Sequence, residues 1–236
     1  MTMSRTTRYK TITTVSPGLL TYIQGVFARM SMGLFLTAIV AYLVSHSPSA
    51  VCTIFETPLF YVAVFAPMGI AIYLQARLES LTSATANALF LIYAASLGVS
   101  LSSIFLIYDL PSITQTFLTT GLLFAVMSYY GYMTHADLTS FGSFLTMGLF
   151  GLVICSVINF FMKSSGMDFA LSIIGSFIFI GLTAFDMQRI KWIYSEADHD
   201  EMRAKKAIMG ALVLYLDFIN LFLMLLRFFG KQRGKH

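Results

Sequence analysis

Seven long apolar stretches, with little between them, set the limits on what this chain can fold into. They are Met30–Ser45, Pro58–Ala76, Ala86–Tyr108, Ile113–Met133, Gly142–Met162, Phe169–Met187 and Ala207–Leu226. A helix crossing hydrocarbon needs roughly 17–25 mostly apolar residues. All but the first reach that length, and the first does so by borrowing Val26–Arg29, with Arg29 snorkelling back to the headgroups. Pro67 is expected to kink the second span. The connections Asp109–Ser112, Thr134–Phe141 and Lys163–Asp168 are short, so sequential helices become antiparallel neighbours. The expectation is an all-α integral membrane protein, a bundle of seven transmembrane helices. Composition agrees: 11% of residues are charged, against about 25% in an ordinary globular domain. Too few charges remain to cover a water-facing surface. Residues 1–25 read as a short cytoplasmic segment, 26–230 as one membrane domain, and 231–236 as a basic tail. The polar, basic start followed by an apolar run without a small-residue exit does not resemble a cleavable signal.

Lys and Arg give the orientation. With the N-terminus cytoplasmic, Arg5, Arg8, Lys10, Arg29, Arg77, Arg189, Lys191, Arg203, Lys205 and Lys206 lie inside, and Lys163 alone lies in an outside loop. The tail resists this pattern. Seven spans place Arg227, Lys231, Arg233 and Lys235 outside; a re-entrant span would return them inside. Seven true spans are the preferred reading.

Several chemistries lack support. Cys52 and Cys155 form no CxxC pair, and His46, His135, His199 and His236 are scattered, which argues against zinc. Glu196, Asp198, Asp200 and Glu201 lack the glycine turn and distal Glu of a calcium-binding EF-hand and read as a solvated loop. No basic patch on a folded domain suggests nucleic acid. No nucleophile–base pair or phosphate loop makes a case for an enzyme, and no cofactor is implied.

Asp217 stands apart from the other acids. It lies ten residues past Ala207, about 15 Å along a helix and near mid-bilayer. A charge there costs roughly 2.5–3.5 kcal/mol on insertion scales. Asp186 lies near the cytoplasmic edge of the sixth span. Two facing carboxyls can share one proton and titrate as a pair, which is a pH sensor by construction. Arg77, ending the second span on the same side, is a candidate partner for the carboxylate that loses its proton. Plainer readings stand beside these: Asp217 hydrogen-bonded to Asn220 or a neighbouring helix, Asp186 solvated at a helix end, Arg77 an ordinary positive-inside anchor. Ser96, Ser100 and Ser103 share a face, as do Gly148 and Gly151, and both sets fit close helix packing better than pore lining.

The segment Gly181-Leu-Thr-Ala-Phe-Asp-Met-Gln-Arg-Ile-Lys191, with Leu214-Tyr-Leu-Asp-Phe-Ile-Asn-Leu-Phe-Leu-Met-Leu-Leu-Arg-Phe-Phe-Gly230, resembles the signature of the Bax inhibitor-1 family. Leu97–Phe105 and Asp137–Leu145 add to the likeness, which runs from about Leu19 onward. The short N-terminus is similar to bacterial members. The resemblance implies a seven-helix bundle with the last helix central, and a pH-sensitive calcium leak in the bacterial inner membrane. It maps the sensing aspartates onto Asp186 and Asp217 and a latch onto Arg77; Asn220 is a further candidate for support, and the two aspartates are candidate calcium contacts. No acidic residue lies inside the second span, which leaves few in-membrane calcium ligands. A second function class stays open: a regulatory protein that binds membrane partners such as a quality-control protease or stress-response factors. A carboxyl at mid-bilayer and short loops favour the channel, whose partners would be lipid, calcium ions and protons.

Overall fold

The computed structural model of the protein describes residues 16–233. Arg5, Arg8, Lys10, Lys235 and His236 lie outside the described residues. Helix α1 spans Pro17–Ser45, α2 Pro48–Phe55, α3 Leu59–Arg77, α4 Ser83–Leu101 and α5 Ile104–Ile107. Then come α6 Leu110–Met133, α7 Thr139–Met162, α8 Ser165–Ile193 and α9 Asp200–Phe229. Among the described residues, seven helices are long and apolar enough to cross a membrane, α4 and α5 together forming the third. The protein is an all-α, seven-span membrane bundle.

Local chemistry places the ends. Ser16 accepts from the N–H of Leu19 at 3.2 Å ahead of Pro17, and Asp109 accepts from Ser112 at 3.0 Å ahead of α6. Both satisfy amides that a helix start leaves bare. Helix α7 stops at Lys163, whose left-handed backbone (φ 52°) closes the last turn.

Several boundaries differ from the sequence reading. Helix α1 begins at Pro17, ahead of position 26, and Arg29 reaches one turn back to the Gly25 carbonyl at 3.0 Å. The third span is interrupted at Ser102–Ser103, where both hydroxyls take helix carbonyls, of Val99 (2.7 Å) and Ser100 (3.2 Å). The expected loop after the first span contains α2. Pro67 sits within an unbroken α3.

Helix α9 is central. It packs on α1, α4, α6 and α8, and two thirds of its apolar window (67%) is buried. The substantial interfaces otherwise fall into two sets: α1 with α2, α4 and α5, and α3 with α2 and α4; then α6 and α7 with α8. Helix α9 joins the sets. On the first side, Tyr215 packs edge-on to Tyr93 and Phe90 (centroids 5.4 and 5.8 Å). Its hydroxyl meets that of Thr37 at 2.6 Å, and Thr37 donates to the Ala94 carbonyl at 2.8 Å. On the second side, Gly131 of α6 lies against the backbone of Ala184 of α8, with no room for a Cβ. Of the serines on one face of the third span, Ser100 donates across to Ala63 of α3, whereas Ser96 and Ser103 donate to carbonyls of their own span. Gly148 abuts Ile178, whereas Gly151 faces open space.

The chain ends on the face opposite to the start of α1. The Lys231 carbonyl accepts from the N–H of Asp109 (3.1 Å), and Arg233 donates to Ile107 (2.9 Å). Seven spans therefore hold, and residues 231–233 lie beside the α5–α6 connection.

Candidate functional site: a carboxyl pair between α8 and α9

Asp186 sits two turns before α8 ends at Ile193, and Asp217 lies in the middle of α9. Both are buried, at 9% and 5% exposure. Their carboxyls face each other between the two helices, close enough for a hydrogen bond. Two ionised carboxylates have acceptors only, so such a bond needs a proton on one of them. Oδ2 of Asp217 is buried and accepts no N–H or O–H among the described residues. An unpaired carboxylate in hydrocarbon is costly, so a shared proton or an incoming cation would satisfy it.

The ground around Asp186 is rigid. Gln188 donates to the Ala136 carbonyl (2.7 Å) and accepts from the N–H of Leu138 (3.0 Å). Lys191 donates to the last-turn carbonyl of Tyr132 at 2.7 Å. The α6–α7 connection is thereby fastened to the end of α8.

Two expected members do not join the pair. Arg77 is exposed in the last turn of α3 and forms no ion pair among the described residues. Helix α3 belongs to the first helix set and Asp186 to the second, so α9 and its partners stand between them. The cation whose charge bears on Asp186 is Arg189, three residues along α8. Its spacing of one turn was visible in the sequence. Asn220 donates to the Leu216 carbonyl of its own helix at 2.8 Å and makes no bond to Asp217. The acidic loop is also more ordered than a solvated one. It shrinks to Tyr194–His199, Asp198 pairs with Lys206 at 2.6 Å, and Glu201 accepts from the N–H and hydroxyl of Ser83 at 2.6 Å each. Glu201 thus caps α4, a role that only the fold brings into view.

No group of three or more His, Cys, Asp or Glu side chains that could hold a metal occurs among the described residues. Calcium takes six to eight oxygens. Two carboxyls alone do not make a resident site, though they can touch a passing ion.

The sequence model of the family described as "Inhibitor of apoptosis-promoting Bax1" matches residues 19–234. The chain belongs to the Bax inhibitor-1 family. It is 42% identical over 234 residues to inner membrane protein YbhL of Escherichia coli (strain K12), covering 98% of this chain and 100% of that protein. An uncharacterized protein of Rickettsia prowazekii (strain Madrid E) is 44% identical over 230 residues, covering 95% and 98%. An uncharacterized membrane protein of Streptococcus pyogenes serotype M3 is 33% identical over 217 residues, covering 91% and 94%. The carboxyl pair lies within the matched region of this Bax inhibitor-1 family chain.

Proposed function

We propose that this protein is a cation leak of the inner membrane, with calcium as its cargo, gated by the proton that Asp186 and Asp217 share. The observation that carries this reading is the buried carboxyl-to-carboxyl hydrogen bond, which holds α8 to α9 only while that proton is present. Once it leaves, two negative charges face each other in a poorly screened site, and the helices are driven apart. Arg189 then steadies the Asp186 carboxylate without any helix crossing the bundle. Flux therefore rises as pH rises. A hydrated calcium ion passing the opened seam would meet both carboxylates in turn.

The test is calcium flux into dye-loaded liposomes across pH. Asp217→Asn keeps shape and a polar group but cannot titrate, so its flux should lose most of its pH dependence. Asp186→Asn should do the same, and the double change should add little, because the two act as one unit. Additive effects, or a normal pH profile in Asp217→Asn, would overturn the sensor. A regulatory role through membrane partners would then lead.

The reading also assigns the start of α1 and the α8–α9 connection to the cytoplasm, following the Lys and Arg bias. In intact cells, exposed Cys52 on the opposite face should react with an impermeant thiol reagent from outside. A cysteine replacing Glu196 should stay unlabelled until the cells are opened. The reverse pattern would invert the topology.

A further inference from the structure

Helices α7 and α9 each pack on α8 but share no substantial interface. Between them runs a lateral groove of about 560 Å3, walled by Leu149, Val153 and Phe160 of α7 and Met224 of α9, with Phe179 of α8 as its floor. That volume falls within the roughly 300–1,000 Å3 usual for small-molecule sites. Its walls are mainly apolar, with Ser156 of α7 and Asn220 of α9 as the polar members, and an unfilled apolar groove forfeits dispersion contacts along its length.

One turn beyond Met224 on α9, and facing Asp168 at the start of α8, lies Arg227. Its guanidinium is 45% exposed and forms no hydrogen bond among the described residues. It forms a long ion pair with Asp168 at 3.8 Å, beyond the 2.7–2.9 Å of a charge-assisted hydrogen bond. The same Asp168 oxygen is already taken by the amide of Asn159 at 2.8 Å. Arg227 thus presents a largely unused planar fork of donors, whose geometry suits a phosphate.

We propose that the groove and Arg227 together bind one phospholipid, with an acyl chain between α7 and α9 and its phosphodiester on the guanidinium. The lipid would complete the α7–α9 interface that the protein leaves open, and brace the face of α9 that carries Asn220.

The test uses the delipidated full chain in detergent, with native mass spectrometry counting bound lipid. The probes are phosphatidylglycerol and a diacylglycerol with the same acyl chains. One phosphatidylglycerol should be retained at least about tenfold more tightly than diacylglycerol, about 1.4 kcal/mol. Arg227→Gln should bring the two to near parity, while Arg227→Lys keeps part of the preference. Ser156→Trp or Val153→Phe, which fill the groove, should remove the retained lipid while helix content by circular dichroism is unchanged. Equal retention of both probes by the natural chain would overturn the proposal. So would an unchanged preference in Arg227→Gln, or lipid still held by either folded groove-filling variant.

Discussion

The two helix sets are fastened to α9 by different chemistry. On the side of α1 and α4, the contact is made of aromatic rings and a closed set of hydroxyl bonds from Tyr215 to Thr37 and on to the Ala94 carbonyl. Nothing there changes charge at physiological pH. On the side of α8, the same helix offers Asp217, a buried carboxyl facing the buried carboxyl of Asp186. Residues 215 and 217 are neighbours in sequence and point to opposite sides of α9. One side of the central helix is thus joined by uncharged rings and hydroxyls and the other by two carboxyls; under the proposed gating the first joint is permanent and the second conditional.

That contrast can be broken most directly at Tyr215, which is fully buried. Tyr215→Ala should cost about 3–5 kcal/mol, the usual range for removing a large core ring. The loss, read from denaturant unfolding in detergent, should be the same at pH 5 and pH 8. A loss that changes with pH would make both sides of α9 conditional.

A smaller effect separates the two candidate cations. Without the guanidinium of Arg189, ionising Asp186 is harder. Arg189→Gln should therefore move the midpoint of flux to higher pH, whereas Arg77→Gln should leave it in place. A shift from Arg77→Gln alone would mean that the helix sets communicate by a route other than α9.

The smallest effect is expected at the exposed α6–α7 connection. The hydroxyl and N–H of Thr139 hold the Asp137 carboxyl below its usual range. A depressed folded value contributes stability above the unfolded value, about 3.9, and loses it as pH falls through the folded one. Asp137→Ala should lower the melting temperature slightly at pH 7, and the gap should close in strong acid. A gap that persists there would mean that the carboxylate is not its source.

Span number and the helices carrying both aspartates were legible because hydropathy reports on lipid directly, residue by residue. The partner of Asp186 was not. Choosing Arg77 assumed that two cytoplasmic helix ends lie close together, and only the grouping of helices around α9 separates them. The serine break in the third span and the capping of α4 by Glu201 were hidden for a related reason. Hydroxyls at 102 and 103 look like packing residues until their carbonyl partners are known, and Glu201 acts across 118 residues of chain.

The position of α9 in the chain has a consequence for biogenesis. The helix around which the others pack is the last of the seven to leave the ribosome, which works at roughly 5–20 residues per second. For several seconds, the two earlier helix sets reside in the membrane without the element that joins them. Each has an interface of its own, α1 with α4 and α6 with α8, so each can assemble as a separate piece. The insertion of α9 is then the closing event, and it brings Asp217 into the bilayer next to a waiting Asp186. A carboxyl that enters protonated and finds its partner already in place avoids crossing the hydrocarbon as a charge.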